Sequence, residues 1–280
     1  MRRPVIVVLV LALLTATLAP LHAEPVALKT TELGRGPTVV FVHTMGLSRT
    51  DWLTSARKLL PNHRIVLVDL PGHGDSPLPD PFTFATAGEA LDAVLARQNP
   101  DSTVVVAHQM GGRVAMAALA ANPARAKGLM LVDVPVGMAV QIDDQQKKMF
   151  LNYMDTNYEQ VSRMMFGRMG RDTTQSQQLY AMMSATPAVT IKAYVRETFY
   201  SDGNKDAKAL KVPVRMFATD GTWEKGATSG TLLKRLGWED TTLTVTRIAD
   251  AGAWFMKDQP DSVAARVREF TAAMLAGAKR

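Results

Sequence analysis

Four short apolar runs, largely β-branched, are spaced along the first half of this chain, and each gives way to a stretch of helical character. They are residues 38–43 (TVVFVH), 65–70 (IVLVDL), 103–108 (TVVVAH) and 128–132 (GLMLV). Polar and apolar residues do not alternate within them, so each run needs cover on both faces. Helices are expected at 50–60, with Thr50 as N-cap and Pro61 past the end, at 86–98 before Asn99-Pro100, and at 111–121 before Asn122-Pro123. Strands buried on both sides, each followed by a helix, predict an α/β fold with a doubly wound, mostly parallel sheet. Such sheets bind ligands at the carboxyl ends of their strands.

The pattern changes after Gly137. From Gln141 to about Tyr200 the chain is helical and methionine-rich, and Asp143-Asp144 suits a helix start. Apolar runs return at 214–218 and 243–248, and a last helix is expected over 262–278. A helical segment therefore interrupts the sheet, as an inserted cap over the strand ends would. The expected organisation is a leader at 1–23, a first core part at 24–140, a cap at 141–205 and a second core part at 206–280.

Composition narrows the setting. With 280 residues and 47% hydrophobic content, the chain can bury one sizeable core. Met1-Arg2-Arg3, the apolar run 5–14 and Leu21-His22-Ala23 form a signal-peptide pattern, with Glu24 as the first mature residue. This predicts an exported bacterial protein, periplasmic or secreted. The apolar core of the leader is short for a span, so no stable membrane span is expected after processing. The formal charge is +6, falling to about +4 without Arg2 and Arg3, and its basic residues are scattered; nucleic acid is not an expected partner. The chain has no cysteine, which removes disulfides, thiol chemistry and lipoprotein acylation and suits a periplasm.

Four motifs lie at the ends of the apolar runs. Residues 68–76 read VDLPGHGDS, residues 107–112 read AHQMGG, residues 42–46 read VHTMG, and residues 250–260 read DAGAWFMKDQP. In this order they resemble the α/β-hydrolase superfamily, and most closely its esterase, epoxide-hydrolase and haloperoxidase-like branch with a helical cap. The first matches that family's D-x-P-G-x-G-x-S turn, which is structural, so His73 is not a catalytic candidate. The second stands where the family has the G-x-S-x-G nucleophile elbow, with Gln109 at the apex in place of Ser, Asp or Cys. A primary amide has no proton that a base can take and a delocalised nitrogen lone pair, so Gln109 can bind but is a very poor nucleophile.

The same resemblance implies that the backbone N–H groups of Met45 and Met110 would build the oxyanion hole. Thr44 replaces a family glycine there, and a β-branched residue restricts that backbone. His43 reads as a buried structural histidine under the turn. Ala253 occupies the position of the catalytic base. The histidines are His22, His43, His63, His73 and His108, and none follows the elbow. For the acid, Asp220 is near, strict spacing from Pro213 points closer to Thr222, and Asp133 is a second family location. Without an imidazole to orient, a carboxylate has lost its triad role; Asp220 reads as a loop or capping residue. Thr44, Met45, Gln109, Met110 and Trp254 are the expected binding residues.

No metal-ligand spacing, P-loop or dinucleotide fingerprint is present, and no cofactor is expected. The cap methionines, Met149, Met154, Met164, Met165, Met169, Met182 and Met183, are expected mainly to pack the cap's own core, a few lining the space beneath it. Three functions follow. The first is a pseudoenzyme that binds a small apolar ligand in the cap/core cleft, or a protein partner. The second is an ester, lactone or epoxide hydrolase that positions water with Asp133, Asp220 or Gln109. The third is an interaction protein whose cleft has collapsed onto Gln109, Trp254 and the cap methionines.

Overall fold

The computed structural model describes residues 24–60, 62–137 and 142–277; the leader at 1–23, Pro61, Gln141 and Ala278 lie outside them. β1 (Thr30–Gly34) and β2 (Thr38–Val42) are followed by α1 (Leu53–Arg57), β3 (Arg64–Val68), α2 (Phe84–Leu95), β4 (Thr103–His108), α3 (Met110–Ala121) and β5 (Leu129–Val132). Four cap helices come next: α4 (Asp144–Thr156), α5 (Tyr158–Phe166), α6 (Thr173–Met183) and α7 (Ala188–Tyr200). The core resumes with α8 (Gly203–Ala209), β6 (Val214–Thr219), α9 (Ser229–Arg235), β7 (Val245–Ile248), α10 (Phe255–Asp258) and α11 (Pro260–Gly277).

The strands form one sheet in the order β1-β3-β2-β4-β5-β6-β7. All neighbours are parallel except β1, which runs antiparallel to β3. The expected doubly wound architecture is present. β2, β4 and β5 are buried along their whole length, which is why their sequences show no alternation. The chain reverses its winding direction between β2 and β4, so their adjacent carboxyl ends form the crevice where such sheets bind ligands.

Several boundaries differ from the sequence reading. The segment expected as one helix over 50–60 is a short 3-10 turn, Arg49–Trp52, followed by α1, and it is capped by Ser48 rather than Thr50. The Asp51 side chain returns to the Ser48 N–H at 2.9 Å, completing a capping box. Likewise α2 starts at Phe84 because Thr83 is its N-cap, with Thr86 at the reciprocal position. β1 (TTELG) was not anticipated: it is a half-exposed edge strand without an apolar run.

The glycine turn after β3 behaves as its sequence implies. Gly72 and Gly74 have φ of 76° and 53°, and a β-carbon on Gly74 would collide with the Asp69 carboxylate. The cap helix α7 sits on this turn: Thr190 Oγ1 donates to the Gly72 carbonyl and Tyr194 OH to the Pro71 carbonyl, each at 3.1 Å. Met154 and Met183 are buried in the cap with Leu151, Val161, Leu179 and Ile191, whereas Met149 and Met164 are exposed.

Candidate functional site

β4 ends at His108 and α3 begins at Met110, leaving Gln109 alone to make the bend. Its φ of 42° and ψ of −116° lie in a region that non-glycine residues rarely occupy. The bend is tight because Gly111 lets α3 pass against the His43 carbonyl, where a β-carbon would collide. The elbow geometry is therefore kept, with an amide at its apex.

Thr44 closes the space in front of that amide. Its hydroxyl donates to Gln109 Oε1 at 3.1 Å and accepts the Met110 N–H at 3.4 Å. The Met110 N–H, an expected oxyanion donor, thus points at a side-chain oxygen. Thr44 and Met45 are buried, while Gln109 and Met110 remain half-buried.

The histidines near this crevice serve the backbone. His43 Nε2 accepts the Leu70 N–H at 2.9 Å, and its Nδ1 lies 2.7 Å from the Thr44 carbonyl. His73 Nε2 accepts the Gly46 N–H at 2.9 Å, and its Nδ1 lies 3.0 Å from the Pro71 carbonyl. Both rings are therefore neutral Nδ1–H tautomers. Burial pulls His43 down to about 4 and His73 to about 3. His108 is also fully buried and held down to about 3, first by burial; neither of its ring nitrogens has a partner among the described residues. The expectation of a structural His43 stands, and none of the three rings is paired with a hydroxyl.

Ala253, the expected base position, is 8% exposed and its N–H donates to the Met169 carbonyl at 3.2 Å. A β-carbon on the preceding Gly252 would lie 3.0 Å from the Arg171 nitrogen. The same cap loop is tied down where Gln175 Nε2 donates to Asp258 Oδ1 at 2.6 Å and the Gly252 N–H to Asp258 Oδ2 at 3.2 Å. On the other side, Met183 packs against Gly46, whose β-carbon would lie 2.8 Å from the methionine Cγ. The cap thus touches the chain at both Gly46 and Ala253.

The two carboxylates are used elsewhere. Asp220 takes the Arg247 guanidinium and the Asp250 N–H, the latter at 2.8 Å; the bond from Arg247 holds its pKa below the usual carboxylate value. Asp133 is 2% exposed and accepts from Thr219 N at 2.9 Å and Thr219 Oγ1 at 2.7 Å. Burial raises its pKa in spite of the stabilising bonds from Thr219 and Thr222. The hydroxyl at the strict acid spacing, Thr222, thus supports the other carboxylate. Trp254 is 8% exposed, and its Nε1 donates to Asp51 Oδ1 at 3.1 Å while Lys257 lies 3.8 Å over the ring. Asp51 and Asp258 were missed by sequence reasoning, and Met169 was expected to act through its side chain, whereas its carbonyl makes the contact; only Asp51 had a local signal, the S-x-x-D spacing from Ser48.

The cavities of 270 to 590 Å³ described for the protein lie elsewhere, and none is lined by Thr44, Gln109 or Ala253. Among the described residues no three His, Cys, Asp or Glu side chains gather to hold a metal, and no helix is long and apolar enough to cross a membrane.

Residues 39–266 match the sequence model of the alpha/beta hydrolase family. This chain belongs to the α/β-hydrolase family. By sequence it resembles the pimeloyl-[acyl-carrier protein] methyl ester esterase of Pseudoalteromonas atlantica, 31% identical over 107 residues, which are 38% of this chain and 40% of that relative. The chain thus spans less than half the length of the relatives it matches in this way. By structure it resembles an esterase from Thermogutta terrifontis, with a TM-score of 0.71, 20% identity and 89% and 94% of the two chains covered. An enol-lactonase from Burkholderia xenovorans gives a TM-score of 0.70 and 15% identity, with 88% of this chain and 96% of the lactonase chain covered. At these identities the structural likeness shows the hydrolase fold alone.

Proposed function

We propose that this α/β-hydrolase is an exported, non-catalytic member of its family that acts by binding. The observation that carries the reading is the Thr44 hydroxyl lodged between Gln109 Oε1 and the Met110 N–H. Acyl transfer needs a nucleophile that can lose a proton, a base that takes it and free donors for the oxyanion. Here the apex is an amide, the base position is a methyl group, and one hole donor already points at a side-chain oxygen. Because Met183 and the Met169 carbonyl close the cap onto the crevice, the reading leans toward a protein partner over a small apolar ligand held in the cleft. Export rests on the signal-peptide pattern at residues 1–23.

The esterase relatives support a second reading, hydrolysis by water held on Asp133, Asp220 or Gln109. Against it stand the hydrogen bonds that already fill both carboxylates. The deciding experiment assays the mature chain against p-nitrophenyl esters, lactones and epoxides beside the Gln109→Ser/Ala253→His double variant. No turnover by the unmodified chain is expected. Clear turnover that is abolished by Asp133→Ala or Asp220→Ala would overturn the proposal.

A further inference from the structure

A second concave feature lies on the cap, apart from the elbow. A cavity of about 580 Å³ opens between α5 and α6, within the range of small-molecule sites, about 300–1,000 Å³. Its walls carry two guanidinium groups, Arg163 and Arg168, and no carboxylate. The other polar groups, on Gln160, Thr173, Ser176 and Gln177, are neutral.

The two arginines are not equivalent. Arg163 lies 4.8 Å over the Tyr180 ring and donates to Glu159 at 3.3 Å, an exposed pair that partly offsets its charge. Arg168 is exposed, and among the described residues no carboxylate lies within ion-pairing distance of it, although its neighbours Arg163 and Arg171 are both paired. Ser176 Oγ accepts the Gly170 N–H at 3.1 Å, which leaves its own proton to donate. Beside these donors stand the Tyr180 ring and Met164, which is 65% exposed. A Met side chain so exposed leaves apolar surface in water that an alkyl chain could cover.

From this pairing of unopposed positive charge with adjoining apolar surface, we propose that the α5–α6 groove binds a small amphipathic carboxylate. Its anionic end rests on Arg168 at the edge nearest Arg163, and its tail lies along Met164 and Tyr180. Arg168 of this site directly precedes Met169, whose carbonyl takes the Ala253 N–H. It does not depend on whether the elbow is catalytic.

The test is calorimetric titration of the full mature chain with octanoate, 1-octanol and inorganic phosphate. Octanoate is expected to bind saturably at one site and more tightly than either comparator. Arg168→Met should weaken it about tenfold, the loss of one charge-assisted contact, and Met164→Ser about threefold. Lys192→Met, a charge removed from α7 outside the groove, should leave octanoate binding unchanged. Circular dichroism of each variant confirms that the exposed substitutions keep the fold. The proposal is overturned by absent saturation, by 1-octanol or phosphate binding as tightly as octanoate, or by Arg168→Met binding like the unmodified chain.

Discussion

The Ala253 N–H donates to the Met169 carbonyl at 3.2 Å, so cap backbone is pinned to the residue that stands where α/β-hydrolases carry their general base. Thr44 is likewise set against Gln109. On the proposed non-catalytic reading, gaining acyl-transfer chemistry takes more than one change. Gln109→Ser alone should not hydrolyse p-nitrophenyl butyrate above buffer, because no ring is placed to take its proton. Gln109→Ser/Ala253→His should give measurable turnover, and adding Thr44→Gly, which frees the Met110 N–H, should raise it about a hundredfold, the usual worth of one oxyanion donor. Turnover in the serine variant without the histidine would reveal another base.

The bend at Gln109 stores backbone strain that can be separated from its side-chain bond. Gln109→Ala removes the bond to Thr44 but keeps a β-carbon at a φ of 42°. Gln109→Gly removes both. Relief of the positive-φ strain outweighs the extra chain entropy of glycine, so the glycine variant should be more stable than the alanine variant by about 1 kcal/mol. Urea unfolding midpoints at a common slope measure the difference. Equal midpoints would mean that the strain is no larger than the entropy cost of glycine.

Asp133 is expected to be structural, and the choice of substitution tells this apart from a catalytic role. Asp133→Asn keeps an acceptor for Thr219, tolerates the φ of 52° and removes a charge from a buried site. Burial raises the native pKa, so stability tied to the protonated form is present below the unfolded carboxyl value and is lost as pH rises through the native one. The advantage of asparagine over aspartate should accordingly grow as pH rises above the unfolded carboxyl value of about 4 and level off once the raised native value is passed. Asp133→Ala, which orphans the Thr219 N–H, should lose about 2 kcal/mol. Thermal melts across that range check both.

Much of this could be read from residues 38–132, because runs such as TVVFV and TVVVAH have no polar face and so fix a two-sided sheet. The elbow at Gln109 and the expected base position at Ala253 came from the resemblance of their motifs to those of the α/β-hydrolases. β1 escaped notice because an edge strand needs neither an apolar run nor a second covered face. The helix starts at Ser48 and Thr83 were misplaced because a threonine two or three residues on, Thr50 or Thr86, offers the same capping chemistry. The site's closure was not legible: Thr44 meets Gln109 across 65 residues and Trp254 meets Asp51 across 203, and only the packed sheet brings them together.

The buried histidines set how the protein responds to acid. His43, His73 and His108 are held at about 4, 3 and 3, in each case first by burial. The hydrogen bond to the Thr44 carbonyl and the charge of Asp51 pull His43 upward without cancelling that effect. Below an unfolded pKa of about 6.5 the unfolded rings take protons that the native rings refuse, so the unfolded state binds more protons and stability falls as pH drops. Each ring contributes about 1.4 kcal/mol per pH unit until its native value is reached. His108 differs from the other two: its nitrogens bond nothing among the described residues, and the ring packs edge-on against Phe255 at 5.0 Å. His108→Phe should keep that packing, lose the buried unpaired nitrogens and gain about 1 kcal/mol at pH 7.5. Between about pH 6 and 4.5 its stability should fall less steeply, by one ring's share. His73→Phe should flatten the acid limb equally but lose stability at pH 7.5, because the Gly46 N–H loses its acceptor. Denaturant unfolding of the three proteins at each pH measures both effects, and an unaltered acid limb in His108→Phe would show that this ring is protonated in the native state.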